Sequence, residues 1–190
     1  MAGAIVSLKI WFAVLVLSTL VLTSLTAATV DWSSYTPAHS LGSGDDDWWI
    51  NYPDQNPSAG SAVSHPQWVL GDLKSKPLLV LVRDTNCAAC KVQKPQIDNL
   101  MKEYSSDINF IDMVTENDVR KASSFLDVYN PLGGPNYVPT TVFITLIKGP
   151  DGKVSVAWHS AVDVMDKGAL RSYTEDAIYY WRENSQSWNP

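Results

Sequence analysis

The sequence predicts an α/β protein built as a three-layer sandwich, with a central mixed β-sheet flanked by helices. Three observations point there. From Trp68 onward, apolar runs with strand character alternate with stretches of helical periodicity. The continuous apolar run Leu78–Val82 reads as a central strand buried on both faces. The segment Gly149-Pro150-Asp151-Gly152 reads as a hairpin turn between two further strands.

Each element has a local reason. Val69–Ser75 reads as a short helix. Ala88–Tyr104 is helical, with Val92, Ile97, Leu100 and Met101 on one broad face and Pro95 expected to kink it. Ile108–Val114 reads as a second buried strand. Asn117–Tyr129 is a helix carrying Val119, Ala122, Leu126 and Tyr129 at near-helical spacing. Pro131–Pro135 is a turn-rich loop and Thr140–Ile147 a strand. Lys153–His159 is its return strand, with Val154, Val156 and Trp158 alternating. Asp166 caps a last helix whose Leu170, Tyr173, Ala177, Ile178 and Trp181 form one face. The order is (α)βαβα, then ββα.

The chain has 190 residues and a net charge of −6. No basic patch stands out, which argues against a nucleic-acid partner. The acidity is uneven: Asp31–Pro66 holds five Asp and no Lys or Arg. Residues 1–28 read as a secretory signal peptide or an N-terminal membrane anchor. Lys9 precedes the apolar run Ile10–Leu25, and Thr26-Ala27-Ala28 offers small residues for cleavage. That run is shorter than the roughly 20 residues of a full bilayer span. Either reading implies an exported, extracytoplasmic or cell-surface protein. Residues 29–66 read as an acidic tether containing Trp32, Trp48 and Trp49, and residues 67–190 as the domain.

The only two cysteines form Cys87-Ala88-Ala89-Cys90, directly after a strand and at the start of a helix. Thiols at i and i+3 there can reach each other. The unpaired N–H groups and positive dipole end of the helix favour a thiolate. Such a small ring constrains little of the unfolded chain, which argues against a purely structural disulfide. A zinc site needs about four ligands; His39, His65 and His159 are not at zinc-like spacing, so no metal is expected.

These motifs resemble the thioredoxin superfamily over Trp68–Ser185. Three matches carry the resemblance: Cys87-Ala88-Ala89-Cys90-Lys91 with Pro95 five residues beyond the second cysteine, Val138-Pro139-Thr140 just before a strand, and Asp166-Lys167-Gly168-Ala169-Leu170 at the last helix. The resemblance implies a thioredoxin-like fold and a cis Pro139 lying against the disulfide. It also implies a groove in which the Val138 backbone pairs with an extended substrate. Departures are Asn86 in place of the family's Trp, Leu81 in place of its buried Asp, and Asp163 near its usual Gly. The Ala-Ala dipeptide between the cysteines is a further departure.

The expected function is thiol–disulfide exchange with protein thiols and disulfides, with reduction favoured over oxidation. Cys87 is expected as the nucleophile and Cys90 as the more buried resolving thiol. Lys91, and Lys94 one turn on, are candidates for tuning the thiolate, or else ordinary solvated lysines. Asp84 and Asp163 are surface acids or substitute proton acceptors. No cofactor is expected beyond the reversible Cys87–Cys90 disulfide. A membrane or soluble electron donor or acceptor is expected as a partner. The alternative is a non-catalytic binding module that uses the same groove and the Trp-rich tether.

Overall fold

The computed structural model describes residues 30–189; the leader read at residues 1–28 lies outside them. Helix α1 (Gln67–Leu73) precedes strand β1 (Leu78–Arg83), helix α2 (Ala88–Tyr104), strand β2 (Asn109–Val114) and helix α3 (Val119–Tyr129). The hairpin β3 (Thr140–Lys148) and β4 (Val154–Val162) follows, then helix α4 (Lys167–Asn184). The sheet order is β2-β1-β3-β4. Strand β1 runs parallel to β2 and antiparallel to β3, and β3 pairs antiparallel with β4.

The central run is apolar throughout because alternate residues feed two cores. Leu79, Leu81 and Phe143 pack with Ile97 of α2 and with Leu170, Tyr173 and Ala177 of α4. Val80, Val82, Val142 and Ile144 pack with Leu73 of α1 and with Phe125 and Tyr129 of α3. Helix starts follow capping chemistry: Asp118 accepts from the Lys121 N–H, and Asp166 from the Gly168 and Ala169 N–H groups.

Two helical positions differ from expectation. Val92 is 52% exposed, because the inward stripe of α2 runs through Cys90, Gln93, Ile97, Leu100 and Tyr104 and leaves Val92 about 100° away from Gln93. Val119 is 66% exposed. It is the first residue of α3, and helical side chains lean toward the N-terminus, past the helix end.

The stretch expected to be a tether is packed into the domain from Val30 on. Trp48 and Trp49 are buried, one in each core. Trp49 exchanges two backbone hydrogen bonds with Trp158 (2.8 and 2.9 Å), which adds a short pairing to the open side of β4. The fully buried Asp176 carboxylate accepts from the Tyr35 hydroxyl (2.7 Å), the Ala38 and His39 N–H groups (2.9 Å each) and His39 Nδ1 (2.7 Å). His39 and His159 stack on the two sides of Tyr173, at 3.7 and 3.9 Å between ring centres. Spacer composition does not reveal this packing, because the partners of its aromatics lie more than a hundred residues away.

Replacing Trp49 by Ala should destabilise the fold by about 3–5 kcal/mol, read from urea denaturation. Burial pushes His65 and His159 down to about 4 from 6.5. The unfolded chain therefore binds more protons between those values. The stability these groups contribute is complete above pH 6.5 and is lost as pH falls toward 4. Urea midpoints measured from pH 7.5 to pH 4.5 should fall below pH 6.5, and His159→Gln should flatten part of that slope.

Candidate active site

Cys87 caps the N-terminus of α2, where its sulfur accepts the Cys90 N–H at 3.0 Å. The two sulfurs are joined in a disulfide with Cα atoms 5.2 Å apart. Their exposures differ as their helix positions dictate. Cys87 lies outside the first turn and is half-buried; Cys90 begins the inward stripe of α2 and is 1% exposed. The Val138 carbonyl oxygen lies 3.6 Å from Cys87 Sγ, and the Val138–Pro139 peptide bond is cis. These groups meet because Val82 pairs with Thr140 across β1 and β3. The loop leaving β1 and the loop entering β3 therefore lie side by side.

Several contacts hold this arrangement. The Thr140 hydroxyl donates to the Tyr137 carbonyl at 2.7 Å. The Asp163 N–H donates to the Pro139 carbonyl at 2.8 Å, from a left-handed conformation at φ 74°. Two residues on, the Met165 N–H donates to Gln93 Oε1 at 2.8 Å inside the domain. On the other side, the Thr85 hydroxyl and N–H donate to Glu116 and hold its carboxyl down to about 2. The loop before Pro139 is tied by Asn130, whose Oδ1 accepts the Leu132 N–H and whose Nδ2 donates to the Pro135 carbonyl. Gly133, at φ 62°, lies so close to Pro57 that a Cβ there would come within 2.7 Å of Pro57 Cδ. The N-terminal segment thus braces the loop that carries Pro139.

A cleft of about 200 Å³ opens beside Cys90, lined by Arg83, Asp84, Thr85, Lys91, Lys94 and Pro95. Arg83 forms a two-pronged pair with Asp112 (2.6 and 2.8 Å). Lys94 is drawn to Asp98 at 2.6 Å and lies 3.7 Å from Asp112. Lys91 is exposed on the cleft wall. Pro95, inside α2, removes the hydrogen bond that the Lys91 carbonyl would otherwise accept. Asp84 accepts the Asn86 N–H at 2.7 Å, and Asp163 is exposed. Leu81 is fully buried opposite Thr141. The three histidines are engaged apart from the cysteines: His39 with Asp176, His65 with the Tyr129 hydroxyl and His159 with the Asp47 carbonyl. Among the described residues no three His, Cys, Asp or Glu side chains are grouped so as to hold a metal ion.

Sequence reasoning missed Gln93 and the bracing segment. A signal for Gln93 was present: it is the polar member of the stripe Cys90, Gln93, Ile97.

The strand order, the cysteine pair at the N-terminus of α2 and the cis proline before β3 make this a thioredoxin-like α/β fold. No protein-family model and no curated protein matches the chain. Solved structures similar to it include oxidized mitochondrial thioredoxin 3 from Saccharomyces cerevisiae, at 19% identity, with 58% of this chain and 87% of that one covered and a TM-score of 0.40. A thioredoxin from Malassezia sympodialis is similar at 16% identity over 54% of this chain and 76% of that one, with a TM-score of 0.39. A chain from a structure of the thiol-resolving mechanism of yeast mitochondrial 1-Cys peroxiredoxin is similar at 17% identity over 60% of this chain and 92% of that one, with a TM-score of 0.40.

The unequal exposure of the two sulfurs predicts unequal alkylation. After reduction, limiting iodoacetamide should label Cys87 at least about tenfold faster than Cys90, since a buried thiol is neither accessible nor readily ionised. Peptide mass mapping reads the ratio.

Proposed function

We propose that this chain is an exported thiol–disulfide oxidoreductase that reduces disulfides in protein substrates through Cys87 and Cys90. The observation that carries the reading is the asymmetry of the pair: a half-exposed cysteine at a helix N-terminus, beside the Val138 carbonyl, with a buried cysteine behind it. The Cys87 thiolate attacks one sulfur of a substrate disulfide. That S–S bond breaks, and the released substrate sulfur leaves as a thiolate and takes a proton from water. Cys90, as a thiolate, then attacks Cys87 Sγ. The Cys87–Cys90 bond forms, and the second substrate sulfur leaves with the electron pair. Two electrons pass to the substrate, and a membrane or soluble dithiol donor restores the pair. The reverse sequence would insert a disulfide.

The surroundings suit a peptide substrate. The Val138 backbone lies beside the reacting sulfur, and Pro139 presents no N–H to compete there. An extended peptide can pair with the Val138 backbone, as strand addition requires. Exposed Tyr137 and Val164 flank Val138 and Asp163 in the chain and supply apolar contact for substrate side chains. The apolar run Ile10–Leu25 supports export, and an exported pair would work where protein disulfides persist.

The test is covalent trapping together with the reduction potential. Cys90→Ser should accumulate mixed disulfides with substrate proteins through Cys87, and Cys87→Ser should accumulate none. A potential near about −270 mV supports the reductase direction, and one near about −120 mV overturns it in favour of an oxidant. A pair that fails to exchange in thiol buffers overturns the enzyme reading altogether.

A further inference from the structure

Gln93 is fully buried, and the two ends of its amide are in different situations. Oε1 accepts the Met165 N–H at 2.8 Å, whereas Nε2 is buried without a hydrogen-bond partner. Unpaired buried donors are uncommon in folded proteins and call for a reason. Gln93 lies three residues after Cys90 on the inward stripe of α2. Residues at i and i+3 are surface neighbours on a helix, and helical side chains lean toward the N-terminus. Gln93 and Cys90 therefore share the inward face of α2, one turn apart. In the disulfide, the Cys90 sulfur is neutral and asks little of a donor. Once Cys87 is bonded to a substrate sulfur, Cys90 must become an anion in a site that is 1% exposed. That is the state in which a buried N–H donor is worth most.

Resting on the oxidoreductase reading above, we propose that Gln93 is a positioning residue for the resolving step. Its Nε2 donates to the Cys90 thiolate in the mixed disulfide, while its Oε1 holds the Asp163–Met165 loop against α2. Cys90 gives its proton to water in the adjoining cleft. Its thiolate then attacks Cys87 Sγ, the Cys87–Cys90 bond forms, and the bond from Cys87 to the substrate breaks. The electron pair leaves on the substrate sulfur, which takes a proton from water, and Gln93 neither gains nor loses one. The same side chain ties the two halves of the site together. Met165 is bonded to Gln93, and Asp163 of the same loop is bonded to the Pro139 carbonyl beside Val138. The charged groups around Cys90 are Arg83 and Asp84 from β1 and its following loop, Lys91 and Lys94 from α2, Asp112 behind Arg83, and Asp163 on the bonded loop. None of them changes in the variants below.

The experiment uses the reduced full chain and a chromogenic aryl disulfide in stopped flow. The first release of aryl thiolate reports attack by Cys87, and the second reports resolution by Cys90. Gln93→Met removes both ends of the amide at similar volume. Gln93→Glu keeps an oxygen for Met165 and, once ionised, replaces the donor by a negative charge that acts against the Cys90 thiolate in the same direction, so Gln93→Met is the variant that isolates the lost donor. The expected result is a first phase within about twofold of wild type. The second phase should slow about tenfold at pH 7, with its midpoint moved up by about one pH unit, because a hydrogen bond to the charged form lowers a thiol's pKa. Slowing of both phases with an unmoved midpoint would mean a merely structural role and would overturn the proposal. So would a second phase in both variants that matches wild type from pH 5 to pH 9. Should Gln93→Met fail to fold, Gln93→Glu and NMR of the Cys87→Ser variant decide. There Cys90 has no sulfur to attack and its ionisation can be titrated: the Gln93 side-chain N–H signals should move with it, and unmoved signals overturn the proposal. A wild-type protein with no second phase overturns the oxidoreductase reading and this inference with it.

Discussion

The antiparallel pairing of β1 with β3 is the constraint on which the site depends. Val82 lies opposite Thr140, so the chain leaves β1 toward Cys87 at the place where another part of it arrives through Val138 and Pro139. Neither loop forms the arrangement alone. Cys87 needs the end of α2 for its N–H environment, and α2 needs β1 beneath it to bury Ile97 and Leu100. Val138 needs β3 to be held in register. The central strand can serve both partners because all five residues Leu78–Val82 are buried, three feeding one core and two the other.

The second constraint is the N-terminal segment, which closes one side of the domain. The open side of β4 would otherwise leave Trp158 without its backbone partner, and an unpaired strand edge invites association. Trp49 takes that place, and Asp176 holds the preceding stretch through four hydrogen bonds. A buried carboxylate is tolerable only when its oxygens are satisfied, and here both are. The segment also reaches the site. Asn56 donates to the Asn130 carbonyl at 3.0 Å, and Pro57 packs against Gly133 in the loop before Pro139. What composition suggests is a spacer is therefore part of the support of the candidate active site.

Local information set much of the architecture. The apolar run Leu78–Val82, the turn Gly149–Gly152, the Asp166 cap and the periodicity of α2 each identify their element from a few neighbouring residues, and the helix bounds Ala88–Tyr104 agree in sequence and structure. The place of Cys87 and Cys90 at the start of α2, within disulfide reach, was legible for the same reason: spacing and helix position are local properties. The approach of Val138 to Cys87 was readable only through a family resemblance, since fifty-one residues separate them. Tertiary structure alone decided the rest. It placed Trp48 and Trp49 of residues 30–66 in the core and anchored His39, because these side chains find partners on β4 and α4. It singled out Gln93, because a buried amide becomes visible only when the groups around it are known. Periodicity reports which side of an element is inward, and packing alone decides what that side meets.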